Sequence, residues 1–129
     1  MKPIAMKDRF DSAIRKAAHA DPDARLVNIV GIKVREDGTV ALGGQGDWAS
    51  RWQYAFMNDM KGDAPPRYIT VRYLDPDIPL VDENAGNVCD TIAFDAADVP
   101  MLADSRTLAA MFSRDPDRKP LGGYDGDSI

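Results

Sequence analysis

The amino-acid sequence predicts an α+β domain: an N-terminal helix packed on an antiparallel sheet of about four strands, with a second helix near the C-terminus. Three patterns support this fold class. Apolar residues recur at helical spacing over residues 7–19, and aromatic residues alternate with other side chains over residues 50–58. Asp37-Gly38, a pair that tolerates positive φ, separates two apolar runs and predicts a tight turn between strands.

The length of the chain indicates how many domains it has, and its charge indicates which partners are expected. Its 129 residues fit one domain, which we place at residues 1–117, followed by a flexible and glycine-containing tail over residues 118–129. The formal net charge is −5 and the basic residues are scattered among acids, so nucleic acid is not an expected partner.

Cys89 is the only cysteine, so no intramolecular disulfide can form. The N-terminus lacks the apolar region of a signal peptide, and no apolar run reaches the ~20 residues of a membrane span. We therefore expect a cytoplasmic chain without membrane insertion. If a signal peptide has been removed, the expected location is periplasmic or secreted.

The first helix is predicted over residues 7–19. Its apolar stripe consists of Met6, Phe10, Ala13, Ile14, Ala17 and Ala18. Asp21-Pro22-Asp23 ends the helix, because proline disfavours the helical conformation of the residue before it.

Residues 26–35 are rich in β-branched side chains and predict the first strand. Its alternation shifts near Gly31, which indicates either a bulge at Val30-Gly31 or a strand buried on both faces. The Asp-Gly turn then predicts a hairpin whose second strand covers residues 39–42.

The aromatic strand over residues 50–58 is expected to be central. One face carries three rings that we predict to pack under the first helix: Trp52, Tyr54 and Phe56. The opposite face, which is left for a second layer, a ligand or water, carries Gln53, Ala55 and Met57. The predicted second helix, residues 105–112 with an N-cap at Asp104-Ser105, is the candidate cover of that face.

Apolar and polar residues alternate over residues 67–74, which predicts a fourth strand. Residues 75–87 are polar, contain Pro76 and Pro79, and are interpreted as a loop.

The element order over residues 7–73 resembles that of a known family. A helix precedes Arg-Leu-Val-Asn-Ile-Val-Gly-Ile-Lys-Val-Arg-Glu-Asp-Gly and then Trp-Gln-Tyr-Ala-Phe, which is similar to the PepSY and PepSY-like domains of bacteria. The resemblance implies a helix on a curved antiparallel sheet. It also implies a role in protease inhibition or cell-envelope binding rather than catalysis.

No residue is predicted to be catalytic, and no cofactor is expected. His19, the only histidine, lies at the predicted end of the first helix, where a cation interacts favourably with the helix dipole. A Ser/His/Asp or Cys/His site would have to use it. The sequence therefore leaves open whether the protein is an enzyme, although the lack of a catalytic motif favours a non-enzymatic role.

The densest acidic cluster is the weak candidate for Ca²⁺ or Mg²⁺ and comprises Asp75, Asp77, Asp82 and Glu83. Asp-Pro-Asp is typical of turns, and the spacing does not match the calcium loop of helix–loop–helix proteins. No metal is therefore predicted.

The loop that contains Gly43, Gly44 and Gly46 is predicted to be a hinge or a wide hairpin. A phosphate loop is not favoured, because no Lys-Ser or Lys-Thr follows the glycines.

The leading functional hypothesis is a non-enzymatic module, monomer or homodimer, that binds a protein or peptide through its sheet face and the loop over residues 43–52. Its predicted contact residues are Trp48, Arg51, Trp52 and Gln53. Two alternatives remain. One is a small-molecule-binding or hydrolytic domain with a cavity between helix and sheet. The other is a structural subunit of a bacterial assembly that pairs through an exposed sheet edge.

Overall fold

The protein was analysed as a computed structural model, which describes residues 3–44, 49–58, 67–85, 93–112 and 123–125. These residues contain the helices α1 (Phe10–Ala20) and α2 (Ser105–Phe112) and two 3₁₀ turns, Met6–Asp8 and Val99–Met101. Their strands are β1 (Ile4–Ala5), β2 (Arg25–Ile32), β3 (Thr39–Val40), β4 (Arg51–Asn58), β5 (Arg67–Asp75), β6 (Ile78–Ala85) and β7 (Gly123–Asp125).

Five strands form one antiparallel sheet in the order β6-β5-β4-β2-β7, while β1 and β3 pair in a separate two-stranded sheet. The helix α1 packs across β4, β5 and β6. The predicted fold class is therefore confirmed: an N-terminal helix lies on an antiparallel sheet, and a second helix lies towards the C-terminus.

The helix α1 begins later than predicted, because Met6–Asp8 first forms a 3₁₀ turn. Three residues of its inner stripe are buried: Phe10, Ala13 and Ala17. The helix ends where the sequence indicates. Asp21 N donates a 2.8 Å hydrogen bond to Ala17 O, and Asp21 Oδ1 accepts a 3.0 Å bond from Asp23 N.

The predicted packing face of β4 is also confirmed. Trp52, Tyr54 and Phe56 are at most 3% exposed and belong to one core cluster with the inner stripe of α1. The centroid of the Tyr54 ring lies 6.4 Å from that of Phe10, and the Tyr73 ring meets Tyr54 edge-on at 6.0 Å. Because aromatic side chains bury the most apolar area, this face forms the centre of the core.

Two of these rings also hold the N-terminal segment, residues 4–8, against the sheet. Trp52 Nε1 donates a 2.9 Å hydrogen bond to Ile4 O, and the Tyr54 hydroxyl donates a 2.6 Å bond to Met6 O. Both bonds are buried, so the polar end of each ring is satisfied inside the core.

The N-terminus of α2 meets the same segment. Ser105 Oγ accepts a 2.9 Å bond from Met6 N, and Asp104 Oδ1 accepts a 2.9 Å bond from Lys7 N. The residues predicted to cap α2 therefore satisfy the backbone of the 3₁₀ turn. Because this places α2 on the aromatic side of the sheet, the prediction that it covers the Gln53 side is wrong.

The strand after the turn at Gly38 pairs differently from the prediction. Gly38 has a φ of 83° and its N–H bonds Arg35 O at 2.9 Å, so the tight turn is confirmed. However, β2 ends at Ile32, and Thr39–Val40 pairs with Ile4–Ala5 instead of returning along β2. The predicted hairpin between these strands is therefore wrong.

Two strands lie where the sequence analysis places a loop and a tail. β6 occupies the polar segment with prolines and pairs with β5 along its length, and β7 pairs with the middle of β2. The other residues of the predicted tail lie outside the described ranges. The irregularity in β2 falls between Leu26 and Asn28 rather than at the predicted Val30-Gly31.

Candidate functional site

The predicted contact residues lie on opposite sides of β4. We call the side of the sheet away from α1 the outer face; the strand register assigns to it Asn28, Val30, Ile32, Arg51, Gln53, Ala55, Thr70 and Arg72. Arg51 is half-buried there and donates hydrogen bonds to Ala49 O at 3.1 Å and to Gln53 Oε1 at 3.3 Å. Trp52 points the other way and is fully buried, so it belongs to the core instead of a contact surface. Trp48 lies outside the described residues.

Two polar atoms of the outer face are buried without a hydrogen-bond partner in the described part of the chain: Asn28 Oδ1 and Arg72 Nε. Leaving such an atom unpaired costs roughly 1–3 kcal/mol. Arg72 lies on β5, directly beside β6. The outer face therefore contains one acceptor and one donor that are buried and unpaired among the described residues.

β6 is the edge of the sheet on the β5 side, and its apolar residues are exposed. The exposed fractions of Ile78, Leu80 and Val81 are 59%, 45% and 41%, and the described residues place no strand beyond them. Pro79, which cannot donate a backbone hydrogen bond, is tolerated on such an edge. Natural edge strands are usually protected from pairing by charges or proline, and β6 carries Pro79, Asp82 and Glu83 beside its exposed apolar residues.

The acidic residues of β6 are paired with arginines of β5. Asp82 contacts Arg72, and Glu83 Oε1 lies 3.2 Å from Arg67 Nη2. Asp75 Oδ1 accepts a 2.8 Å bond from the N–H two residues later, which is turn geometry. The weak metal candidates thus have structural roles, and the described residues contain no group of three or more ligands that could hold an ion.

A polar cleft of about 660 Å³ lies beside the N-terminal segment, and its charged lining consists of Asp8, Arg9, Arg35, Asp37 and Arg106. Burial favours the neutral form of Asp8, but hydrogen bonds from Ala5 N and Arg106 hold its pKa below the usual value. The hydrogen bond to Asp8 raises the pKa of Arg106. A hydrogen bond from the Thr39 hydroxyl lowers the pKa of Asp37. The charged lining thus comprises three arginines and two aspartates, and Arg106 forms an ion pair with Asp8.

An apolar cavity of about 310 Å³ opens between α1, the sheet and residues 93–101. The residues that line it are Ile14, Ala24, Arg25, Leu26, Phe56, Phe94, Ala96, Val99 and Pro100. Arg25 is the cation among them, and its Nη2 donates a 3.0 Å hydrogen bond to Phe94 O. The cavity is large enough for a small molecule, since ligand sites begin near 300 Å³.

Within the described ranges, His19, which a Ser/His/Asp or Cys/His site would have to use, is exposed near the end of α1. Cys89 and Gly46 lie outside those ranges. Gly43 and Ser50 exchange both backbone hydrogen bonds, at 3.0 and 2.8 Å, in an antiparallel bridge. Residues 45–48 between them are outside the described part of the chain, so the hinge or wide hairpin stays a prediction.

Two features have no clear signal in the sequence: the exposed residues of β6 and the lining of the cavity. The apolar pair Ile78 and Leu80, two residues apart, is a weak strand signal that the neighbouring prolines and acids outweighed. The cavity left no local signal, because Ile14, Phe56 and Phe94 are brought together only by the fold.

Comparison of the chain with protein-family models, with curated proteins and with solved structures gives no match. None of the helices in the described ranges has the length and apolar character needed to cross a membrane.

Proposed function

We propose that this chain is a non-enzymatic module that binds an extended segment of a protein or peptide along the edge strand β6. The observation that carries the proposal is the exposure of Ile78, Leu80 and Val81 on a strand with one unpaired edge in the described sheet. An added strand would satisfy the backbone groups of that edge, while pockets beside the apolar side chains would provide specificity.

The register of β6 indicates what the partner should look like. Leu80 lies opposite Arg72 on the outer face, and Val81 lies opposite Val71 on the side of α1. Because an added strand also alternates its side chains, adjacent apolar residues in the partner would cover both. Asp82 follows on the same strand, so a basic residue near that end of the partner is favoured.

The outer face supports the same proposal. Arg72 Nε is buried without a partner among the described residues and lies on the strand next to β6. A partner side chain could accept this hydrogen bond only if the residues that bury the Nε atom move aside. The resemblance to PepSY-like domains, which are associated with inhibition and binding, favours the same class of function.

A peptide library displayed on phage, selected against the protein, would provide the ligand for the test. Its Kd is then measured by calorimetry for wild type, for the double variant Leu80→Lys/Val81→Lys and for Asp77→Lys. The two variants are matched in charge. The double variant replaces two neutral residues by lysine, and Asp77→Lys replaces a negative charge by a positive one, so each raises the net charge by two.

We expect the double variant to weaken binding at least tenfold, about 1.4 kcal/mol, because lysine on an edge disfavours pairing. Asp77→Lys, in the turn before the strand, should bind like wild type. Failure to select any peptide, or equal affinities for the two variants, would contradict the proposal.

The same edge also favours a second candidate, a structural subunit in which β6 of one copy pairs with β6 of another. Sedimentation velocity separates the two. A dimer that dissociates in the double variant but persists in Asp77→Lys supports the subunit, whereas a monomer at high concentration rejects it.

A further inference from the structure

We infer that the cavity between α1 and the sheet is a second binding site, for a small molecule with an apolar body and a terminal anionic group. This site is separate from β6, which contributes no residue to its lining. The inference depends on the size of the cavity, the construction of its walls and the charge at Arg25.

The cavity is a depression that opens to the protein surface, and its volume is about 310 Å³. This value lies near the lower limit of small-molecule sites, about 300 Å³. The cavity therefore suits a short apolar chain whose polar end stays at the opening.

Part of the cavity wall is formed by the packed core. Leu26, Phe56 and Phe94 are each at most 5% exposed and belong to the core. Phe94 N donates a 2.9 Å hydrogen bond to Leu26 O, which joins the segment over residues 93–101 to β2. Near the other end of this segment, Lys7 Nζ donates a 3.3 Å hydrogen bond to Pro100 O. A preformed, mostly apolar concavity is typical of small-molecule sites.

Arg25 gives the site its charge preference. Its Nη2 lies 3.8 Å from Asp95 Oδ1, in a pair whose side chains are 50% and 82% exposed. Exposed ion pairs of this kind contribute little, so a ligand anion can replace Asp95 beside Arg25. The formal charge of the chain, −5, repels anions at long range, so the preference for an anion at this site depends on Arg25 itself.

Octanoate and 1-octanol, which share a chain length and differ in charge, are suitable probes for NMR titration of the full chain. We expect saturable binding of both, with octanoate the tighter ligand. Ala96→Trp should weaken both at least tenfold by filling the cavity. Ala97→Trp is the matched control, because Ala97 is exposed in the same turn and does not line the cavity.

Arg25→Gln tests the charge preference. It should weaken octanoate about fivefold and leave octanol unchanged, since a hydrogen bond to a charged group is lost only for the anion. Equal effects on the two probes, or none on either, would overturn the anionic part of the inference. No saturable binding by the wild type, or equal binding by the two tryptophan variants, would overturn the site itself.

Intermolecular NOEs locate the octyl chain without any variant, in case Ala96→Trp fails to fold. The inference expects contacts from the chain to the rings of Phe56 and Phe94. Saturable binding without NOEs to these rings would place the ligand elsewhere and reject the site.

Discussion

Ser105 Oγ accepts a buried 2.9 Å hydrogen bond from Met6 N, across 99 residues of sequence. The carbonyl oxygen of Met6 in turn accepts a hydrogen bond from the Tyr54 hydroxyl. A residue near the N-terminus is thus held between the first turn of α2 and the aromatic face of β4. Because both polar groups of one peptide segment are satisfied by side chains, the core depends on a few specific hydrogen bonds as well as on apolar area.

The first prediction concerns this bond. Ser105→Ala leaves Met6 N buried without an acceptor and should lower the free energy of unfolding by about 1–3 kcal/mol. Thr107→Ala, at an exposed position of the same helix, should change it by less than about 0.5 kcal/mol. Urea unfolding of both variants tests this, and similar losses would show that the bond does not stabilise the fold.

The second prediction compares two glycines with positive φ. A Cβ on Gly38 would lie 2.3 Å from Ser105 O, whereas a Cβ on Gly43 would have nothing within 4 Å. Gly38→Ala should therefore destabilise the protein by roughly 1–3 kcal/mol more than Gly43→Ala. In Gly43→Ala the only cost is that of an alanine at positive φ, because its Cβ meets no neighbouring atom. Thermal unfolding measures both, and equal losses would mean that Gly38 is not packed against α2.

The third prediction concerns Tyr54 and pH. Burial, reinforced by the nearby Tyr73 hydroxyl, raises the pKa of Tyr54 above its usual value of 10.0. The stability it contributes is complete below pH 10 and is lost as the pH rises further, because the unfolded chain releases the proton first. Tyr54→Phe should be less stable at neutral pH, by about 1–2 kcal/mol, and should lose less stability above pH 10.

Tyr73→Phe is the control for that change. The Tyr73 hydroxyl donates to Ser12 Oγ at 2.8 Å, and the half-buried Ser12 can bind water in its place, so removal of the hydroxyl should matter less at neutral pH. Urea unfolding from pH 7 to 11 measures both variants. A Tyr54→Phe curve parallel to that of the wild type above pH 10 would contradict the buried position of the hydroxyl.

The fourth prediction concerns β7. Truncation after residue 122 removes this strand and exposes the backbone of β2 at Asn28, Ile29 and Val30. We expect a loss of about 1–3 kcal/mol from the missing hydrogen bonds, whereas truncation after residue 125 keeps them. Equal melting temperatures for the two truncated chains would mean that β7 does not stabilise the sheet.

Much of the fold could be predicted because its signals are local. The alternation of Trp52, Tyr54 and Phe56 defines both the strand and its buried face, since rings of this size are rarely left exposed together. The turn at Gly38 was likewise visible in the Asp-Gly pair. Its strand partner was not visible, because Lys33, with a φ of 62°, directs the chain away from β2. The N-terminal segment then pairs with β3.

The candidate sites were harder to predict because they depend on contacts between distant residues. Asp82 and Glu83 are typical of a loop when considered alone, but their ionic partners on β5 allow them to lie in a strand. The contact surface was expected around Trp52, whose hydrogen bond to Ile4 explains its burial instead. No sequence pattern reports that the side chain of a strand residue bonds to a carbonyl far away in the chain.

Amide hydrogen exchange of the free and peptide-bound protein tests the central claim, that β6 accepts an added strand, most directly. In the free protein, the amides of β6 that face away from β5 should exchange quickly, because edge hydrogen bonds are missing there. Binding of a selected peptide should protect those amides and leave the exchange of β7 unchanged. Saturating peptide that protects other regions and leaves every β6 amide unprotected would contradict the claim.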